Sequence, residues 1–283
     1  MRGLLLLLIA ATACAQPPKI IFPSDSQDPK QSGGAALLEA VCPGRVTAGD
    51  QLGCSGACPQ FTGFPREDFG WQLVAVTRGH FLSTQSDDAV LWMTGCEPHA
   101  ENWGGTILLT RASQTWEMLW YKAGIDTAQC HKVRLQTGRE ILVCLGVSGA
   151  QGVRVTQLYA EDLLDPKPAG MAGDESVFFH LTDDTATCGE NPENESKPEP
   201  ITRAYIESVT FTEVERSVAS ISVNAAQGGQ WMTPEDVAAC LDEQNPTKPH
   251  KGLSFLPPTK REQLDFVFEG GAYHRSPTVT NRK

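Results

Sequence analysis

The sequence predicts a mainly β protein: an antiparallel meander, propeller-like or sandwich-like, with one or two short helices and support from disulfides. Three observations lead to this fold class. Short apolar runs separated by turn residues recur across residues 71–145, as in antiparallel sheets. The 283-residue chain opens with an export signal, and eight of its nine cysteines follow that signal. Finally, residues 130–144 have the pattern of a hairpin whose register can be derived from the sequence.

The first fifteen residues have the pattern of a signal peptide. A basic start is followed by the apolar run 4–11 and by Ala13-Cys14-Ala15, which fits the small-x-small cleavage pattern. Cleavage after Ala15 predicts a secreted or periplasmic protein. The alternative is a lipoprotein, because residues 11–14 loosely resemble a lipobox in which Cys14 would be lipidated. Either route removes Cys14 from disulfide pairing.

Charge excludes two classes of partner. The chain has 34 acidic and 23 basic residues and a net charge of −11, whereas nucleic-acid binding needs a cationic surface. The same balance disfavours adsorption to anionic lipid. No segment after the signal approaches 18 consecutive apolar residues, so no membrane span is expected. No cofactor is expected either.

Composition divides the chain into six segments. They are a signal peptide at 1–15, a flexible leader at 16–34, an N-terminal β region with a cysteine cluster at 35–164, a connection with an acidic, proline-containing loop at 165–200, a C-terminal β region at 201–275 and a loose tail at 276–283. Residues 35–41 fit a short helix. A second helix is predicted at 234–241, where Thr233 is a suitable N-cap and Pro234 a suitable first residue.

The hairpin at 130–144 is specified by its turn. Gln136-Thr137-Gly138 forms a three-residue loop with glycine at the left-handed position, and pairing then joins residues whose numbers sum to 274. Cys130 therefore faces Cys144 within disulfide distance, and a bridge worth about 3 kcal/mol is predicted. The register also predicts one mostly polar face, with the pairs Lys132/Leu142 and Arg134/Glu140, and one mostly apolar face, with the pairs His131/Val143 and Val133/Ile141.

Six further cysteines have fifteen possible pairings: Cys42, Cys54, Cys58, Cys96, Cys188 and Cys240. Three of them, Cys42, Cys54 and Cys58, are close enough in sequence to suggest thiolate ligands for zinc. Export favours disulfides over this alternative.

Gly79-His80-Phe81, followed by Asp87-Asp88-Ala89-Val90-Leu91, resembles the FG-GAP or VCBS repeat of β-propellers. The resemblance covers about residues 71–124 and implies one propeller blade. The regularly spaced Asp/Asn-Gly loop that carries calcium in that family is missing from this segment, and no second copy follows at fixed spacing. An ordinary β-hairpin turn is the alternative interpretation.

The segment that most directly suggests catalysis or metal binding is Glu97-Pro98-His99-Ala100-Glu101. In an extended segment, Glu97, His99 and Glu101 would share one face and could hold a divalent metal or exchange a proton. Asp87 and Asp88 are further candidate metal ligands. The neighbouring Cys96 and the proline within the segment favour a loop fixed by a disulfide instead.

Large aromatic side chains offer a possible platform for a protein or carbohydrate partner. The set comprises Trp71, Trp103, Trp116, Trp120 and Tyr121. Simple alternation places Trp116, Met118 and Trp120 on one strand face, where they would form core rather than surface. The sequence thus predicts an exported, disulfide-stabilised, non-enzymatic β protein that acts in binding or in envelope or surface interaction. The alternative is a metal-assisted hydrolase around Glu97, His99 and Glu101.

Overall fold

The structure is a computed structural model that describes residues 19–63, 70–96, 104–150, 153–166, 176–184, 200–213, 218–231, 233 and 259–277. These residues form fourteen strands, one α-helix and one 3-10 turn. The helix α1 spans Gly34–Val41 and the 3-10 turn Gln60–Thr62; the strands are β1 Val46–Ala48, β2 Leu52–Cys54, β3 Trp71–Gly79, β4 Asp88–Thr94, β5 Gly105–Ala112, β6 Thr115–Ala123, β7 Cys130–Arg134, β8 Glu140–Ala150, β9 Val153–Glu161, β10 Val177–Asp183, β11 Pro200–Thr212, β12 Ser220–Trp231, β13 Lys260–Glu269 and β14 Ala272–Arg275. The predicted mainly β class is confirmed.

The strands form three antiparallel sheets. Sheet 1 has the order β1-β2-β3-β4-β5-β6, sheet 2 the order β10-β9-β8-β7, and sheet 3 the order β11-β12-β13-β14. Strands that are adjacent in a sheet are also consecutive in the chain, as is usual for hairpin-linked strands. The predicted antiparallel meander is therefore confirmed. The choice between a propeller-like and a sandwich-like architecture stays a prediction.

Sheet 2 is covered on both faces. Ile141 and Val143 pack into a core shared with sheet 3, whereas Leu142 packs into a second core with Val90 and Leu108 of sheet 1. The mostly polar face predicted for the 130–144 hairpin is therefore wrong. Leu142 is fully buried because sheet 1 lies over that face.

The other face of sheet 1 carries helix α1. Leu37, Leu38 and Val41 are buried against the sheet, in a core that also contains Trp71 and Leu91. The short helix predicted from the sequence is thus confirmed. Its burial gives sheet 1 apolar contacts on both faces.

Sheet 3 buries one face and presents polar side chains on the other. Ile221 and Val223 pack towards sheet 2, while Ser222 between them points to the opposite face. The Ser222 hydroxyl donates to Asp265 on the neighbouring strand at 2.6 Å. This alternation is the pattern of a sheet with one face on a core.

Residues 19–33 lie across all three sheets and are called the strap here. Ile21 bridges to Ser208 of sheet 3, and Gln27 bridges to Val76 of sheet 1. Between them, Asp25 N–H donates to Cys130 O of sheet 2 at 2.7 Å. The prediction of a flexible leader is therefore wrong for residues 19–33, because their backbone groups are hydrogen-bonded within the fold.

Several predicted features lie outside the described residues. They are the signal peptide at 1–15 with Cys14, most of the connection at 165–200 with Cys188, the helix at 234–241 with Cys240, and the tail beyond residue 277. Where the chain is described, it contains no helix that is both long enough and apolar enough to cross a membrane.

Candidate functional site

Among the described residues, three disulfides join six cysteines. The bridges are Cys42–Cys54, Cys58–Cys96 and Cys130–Cys144. The Cys130–Cys144 bridge and the predicted register through residues 130–144 are confirmed. The zinc interpretation of Cys42, Cys54 and Cys58 is wrong, because each of these sulfurs is bonded to another sulfur.

Asp88, one of the candidate metal ligands, is fully buried and holds a loop together. Its Oδ2 accepts hydrogen bonds from Phe81 N–H at 2.8 Å, Leu82 N–H at 2.9 Å and the Ser86 hydroxyl at 2.6 Å. Its Oδ1 accepts a fourth from the Thr110 hydroxyl at 2.8 Å. A buried carboxylate needs such donors, and here they fix the turn that precedes β4.

Asp87, the other candidate ligand, lies at the surface and pairs with Arg111 at 3.0 Å. The Arg111 guanidinium also lies over the ring of Trp116, which Arg78 contacts as well. Across the described ranges, no group of three or more His, Cys, Asp or Glu side chains is arranged to hold a metal ion. Glu97, His99 and Glu101 lie outside the described residues, so the hydrolase hypothesis stays a prediction.

The candidate aromatic platform is divided between two cores. Trp71 is 1% exposed, and Trp116 and Met118 pack against the same core as Trp71. Trp120 packs on the opposite side of the sheet, against the core shared with sheet 2. The prediction that Trp120 shares a face with Trp116 and Met118 is therefore wrong.

A β-bulge explains this division. The pairing of β5 with β6 shifts between Leu108 and Leu109, so Leu119 is the additional residue on β6. One additional residue moves every following side chain to the other face of the sheet. Tyr121 therefore returns to the first core, where it contacts Trp71 and the half-exposed Phe61. Trp103 lies outside the described residues.

A cleft of about 360 Å³ opens where the strands of sheet 2 end beside the β13–β14 hairpin. Its volume lies within the range of small-molecule sites. It is lined by Leu135, Ile141, Ala160, Glu161, Asp162, Asp165, Ser176, Phe178, Phe268, Gly270, Gly271, Ala272 and Tyr273.

Three aromatic rings form one wall of the cleft. The centroid of Tyr273 lies 5.0 Å from that of Phe178 and 5.1 Å from that of Phe268. The Tyr273 hydroxyl donates to the carbonyl of Ala219 at 2.9 Å. Burial raises the pKa of Tyr273, so this side chain is a neutral hydrogen-bond donor at physiological pH.

Three carboxylate residues form the acidic part of the lining: Glu161, Asp162 and Asp165. Arg139 donates to both oxygens of Asp162, at 2.7 and 2.6 Å. Partial burial alone would raise the pKa of Asp162, but the bonds from Arg139 and from Leu164 N–H outweigh it and lower this pKa. Asp162 is therefore an ionised, positioned side chain.

Sequence reasoning did not identify this cleft, although two signals point to parts of it. Gly270-Gly271 lies between Phe268 and Tyr273 and is a hairpin signal. Both glycines have positive φ, 61° and 92°, as such a turn requires. The second signal is the acidic pair Glu161-Asp162, which lies where β9 ends. Neither signal shows that sheets 2 and 3 bring these segments together.

Comparisons with protein-family models, with curated proteins and with solved structures gave no match. The similarity of residues 71–124 to an FG-GAP or VCBS repeat therefore stays a prediction. In the structure this segment contains the four-stranded meander β3–β6.

Proposed function

We propose that this chain is an exported, disulfide-stabilised, non-enzymatic β protein that acts by binding, and that the cleft between sheets 2 and 3 is its binding site. The cleft itself is the observation that carries the proposal. It combines enough volume for a small ligand or a single side chain with an aromatic wall and a few polar groups.

The cleft walls lie on strands that the fold holds in place. This favours a binding site whose shape exists before a ligand enters. Ile141 and Phe178 both contribute to the core between sheets 2 and 3. Sheet 2 also carries the Cys130–Cys144 bridge. Because little chain has to be ordered when a ligand enters such a site, less affinity is lost to conformational entropy.

The state of Asp162 favours binding over acid–base catalysis. Both of its oxygens are held by Arg139, and its pKa is lowered. A general base works best with a pKa near the operating pH and with access to the proton that it removes. Asp162 meets neither condition.

Export is supported by the three disulfides, which persist mainly in oxidising compartments. Together with the predicted signal peptide, they favour a secreted or periplasmic location. Lipidation at Cys14 remains the alternative. Either location would place the cleft outside the cytoplasm.

The binding proposal is tested by blocking the cleft. A mixed library of small amine, carboxylate, alcohol and aromatic fragments is screened by NMR, following the methyl groups of Leu135, Ile141 and Ala160. We expect saturable shifts of these methyls in the native protein. We expect their loss in Ala272→Trp, which places a large ring at the cleft lining.

Thr210→Trp provides the matched control, because it adds the same ring on an exposed site of sheet 3. Fragments should bind this variant as they bind the native protein. If Ala272→Trp does not fold, Ala272→Leu tests the same site with a smaller side chain. Failure of every fragment to shift the cleft methyls would refute the proposal, as would binding unchanged by the Ala272 variants.

A further inference from the structure

The strap pairs with strand edges, a feature that is independent of the cleft. We propose that the strap is an edge guard: it occupies the open edges of β3 and β11, and without it these edges pair with a second copy of this chain. An unpaired strand edge presents a row of backbone N–H and C=O groups to which another extended chain can bond. The strap supplies partners for these groups from within the same chain.

On sheet 3 the strap covers one half of the edge strand β11. This strand lies at the end of the sheet, beside β12. Ile21 N–H donates to Glu207 O at 3.0 Å, and Val209 N–H donates to Ile21 O at 2.9 Å. Towards the other end of the strand, Asp184 N–H donates to Thr202 O at 3.0 Å. Partners from the same chain therefore occupy both halves of this edge.

On sheet 1 the strap covers the open part of β3. The neighbouring strand β2 pairs with β3 at Trp71 and Gln72, and β2 provides no partner further along β3. Gln27 takes that place: its N–H donates to Val76 O at 2.8 Å, and Val76 N–H donates to Gln27 O at 3.1 Å. Two reciprocal bonds of this kind are those of an antiparallel strand pair.

Between these two contacts the strap is fixed to β7, the edge strand of sheet 2. Ser26 Oγ accepts a hydrogen bond from Cys130 N–H at 3.0 Å, and the Asp25 carboxylate accepts one from Lys132 N–H at 2.8 Å. β7 has five residues and carries Lys132 and Arg134. Short, charged edge strands already discourage pairing. We infer that β7 anchors the strap, and that β3 and β11 are the edges that need cover.

The two covered edges have sequences that favour association between chains. Residues 71–77 contain no charged residue, no proline and no glycine. Residues 201–212 contain one arginine and one glutamate, and again neither proline nor glycine. Both segments contain β-branched and aromatic residues. Segments of high β-propensity, low net charge and no proline are those that pair between chains when they are exposed.

The strap itself has the sequence of a protected edge. Pro23 and Pro29 have no N–H to donate, and Lys19, Asp28 and Lys30 are exposed charged residues. Proline and charge are features with which exposed edges avoid pairing. The strap thus covers two edges that favour pairing with an edge that opposes it. The excluded partner is a second copy of this chain, because every copy has the same edges and identical surfaces can associate about a twofold axis.

The proposal is tested in the oxidised full chain with the double variant Ile21→Pro/Gln27→Pro. Proline removes the two strap N–H groups that bond to β11 and β3. Sedimentation velocity at increasing protein concentration and physiological ionic strength measures association. We expect the double variant to associate at least about tenfold more tightly than the native protein. A folded double variant that associates no more than the native protein would overturn the proposal.

Hydrogen exchange shows whether this association uses the two edges. Val209 N–H and Val76 N–H are bonded to the strap. At low concentration of the double variant, both amides should exchange at least about tenfold faster than in the native protein. At high concentration they should slow again, because a second copy covers them. Association that leaves both amides fast would contradict the proposal, as would native-like protection of both at low concentration.

Two controls separate the loss of the guard from a loss of stability. Lys19→Pro places proline at an exposed strap residue whose N–H bonds to no described residue, and it should leave association unchanged. Leu142→Ala opens a cavity between sheets 1 and 2 and leaves the strap in place. Equal association of Leu142→Ala and the double variant would show that instability, rather than an open edge, is the cause.

A synthetic peptide of residues 19–33 tests the guard in trans. In excess, it should dissociate the associated double variant, whereas the same peptide carrying both prolines should have no effect. Equal effects of the two peptides would contradict the proposal. If the double variant does not fold, Ile21→Pro and Gln27→Pro each open one edge, and the same outcomes decide.

Discussion

Sheets 2 and 3 have the same four-stranded antiparallel meander but opposite environments. In β8, Ile141 and Val143 pack towards sheet 3 while Leu142 packs towards sheet 1, so both faces are buried. In β12, Ile221 is buried and Ser222 bonds to Asp265 on the other face. The connectivity of a sheet therefore does not determine how many of its faces are covered.

The two strands also differ in the periodicity of their apolar residues. Residues 141–145 of β8 read Ile-Leu-Val-Cys-Leu, an unbroken apolar run, whereas residues 220–224 of β12 read Ser-Ile-Ser-Val-Asn. A continuous run fits a strand between two layers, and alternation fits a strand with one polar face. The cleft lies at the junction of these two sheets, where apolar rings and carboxylates meet.

The largest expected effect comes from the second buried face of sheet 2. Leu142→Ala should reduce the free energy of unfolding by about 2–5 kcal/mol, because it opens a cavity between sheets 1 and 2. Thr210→Ala, at an exposed position of sheet 3, should change it by less than about 0.5 kcal/mol. Urea unfolding of the oxidised protein measures both. A small effect of Leu142→Ala would show that sheet 1 does not cover this face.

The aspartates Asp88 and Asp265 allow the stability contribution of a buried carboxylate to be compared with that of an exposed one. Asp88→Asn should cost about 2–4 kcal/mol, since it weakens charge-assisted bonds to a fully buried carboxylate with four donors. Asp265 accepts bonds from Ser222 and Gln263 but is exposed to solvent. Asp265→Asn should cost less than about 1 kcal/mol. Equal losses in thermal unfolding would contradict the comparison.

The smallest expected effect depends on pH and concerns Asp126, in the connection between sheets 1 and 2. Burial raises the pKa of Asp126 from 3.8 to about 6, although Ala128 N–H bonds to its carboxylate and opposes the shift. The folded state therefore binds this proton more tightly than the unfolded state does. The associated stability is present below about pH 4 and is lost as the pH rises through 6.

Asp126→Asn removes the charge that burial disfavours and keeps an oxygen for Ala128 N–H. The variant should be more stable than the native protein by about 1–2 kcal/mol at pH 8 and equal to it near pH 4. Asp265 should show the opposite dependence of stability on pH, because hydrogen bonds from Ser222 and Gln263 lower its pKa. Stability lost by Asp265→Asn should appear only above about pH 4. Urea unfolding at pH 4 and pH 8 checks both variants.

Sequence reasoning succeeded where neighbouring residues decide the geometry. Glycine in a three-residue loop set the register of the 130–144 hairpin and so paired Cys130 with Cys144. It failed where segments that are far apart in the sequence decide the geometry. Trp120 changed face because of a bulge opposite β5, and Asp88, a candidate metal ligand, is held by donors that reach it across a loop and from the next strand.

The strap is another part of the chain where the sequence-based prediction failed because distant segments decide the structure. Its composition is that of a flexible linker, yet Ser26 accepts a hydrogen bond from Cys130 N–H at 3.0 Å and contacts the Thr77 hydroxyl at 2.9 Å. Serine and aspartate are common in disordered segments because they bond well to water. They bond equally well to strand edges, and composition does not distinguish the two partners.

By itself, the sequence determined the mainly β class, the antiparallel meander, the short helix near residue 35 and one disulfide, because turns and periodicity act over a few residues. Only the tertiary structure decided which sheet covers each buried face, how the strap runs and where the cleft lies. Glu161, Phe178 and Tyr273 line one cleft although more than one hundred residues separate the first from the last. Their proximity follows from packing sheet 3 against sheet 2. Periodicity shows that a strand face is buried, but it does not show which distant segment covers that face.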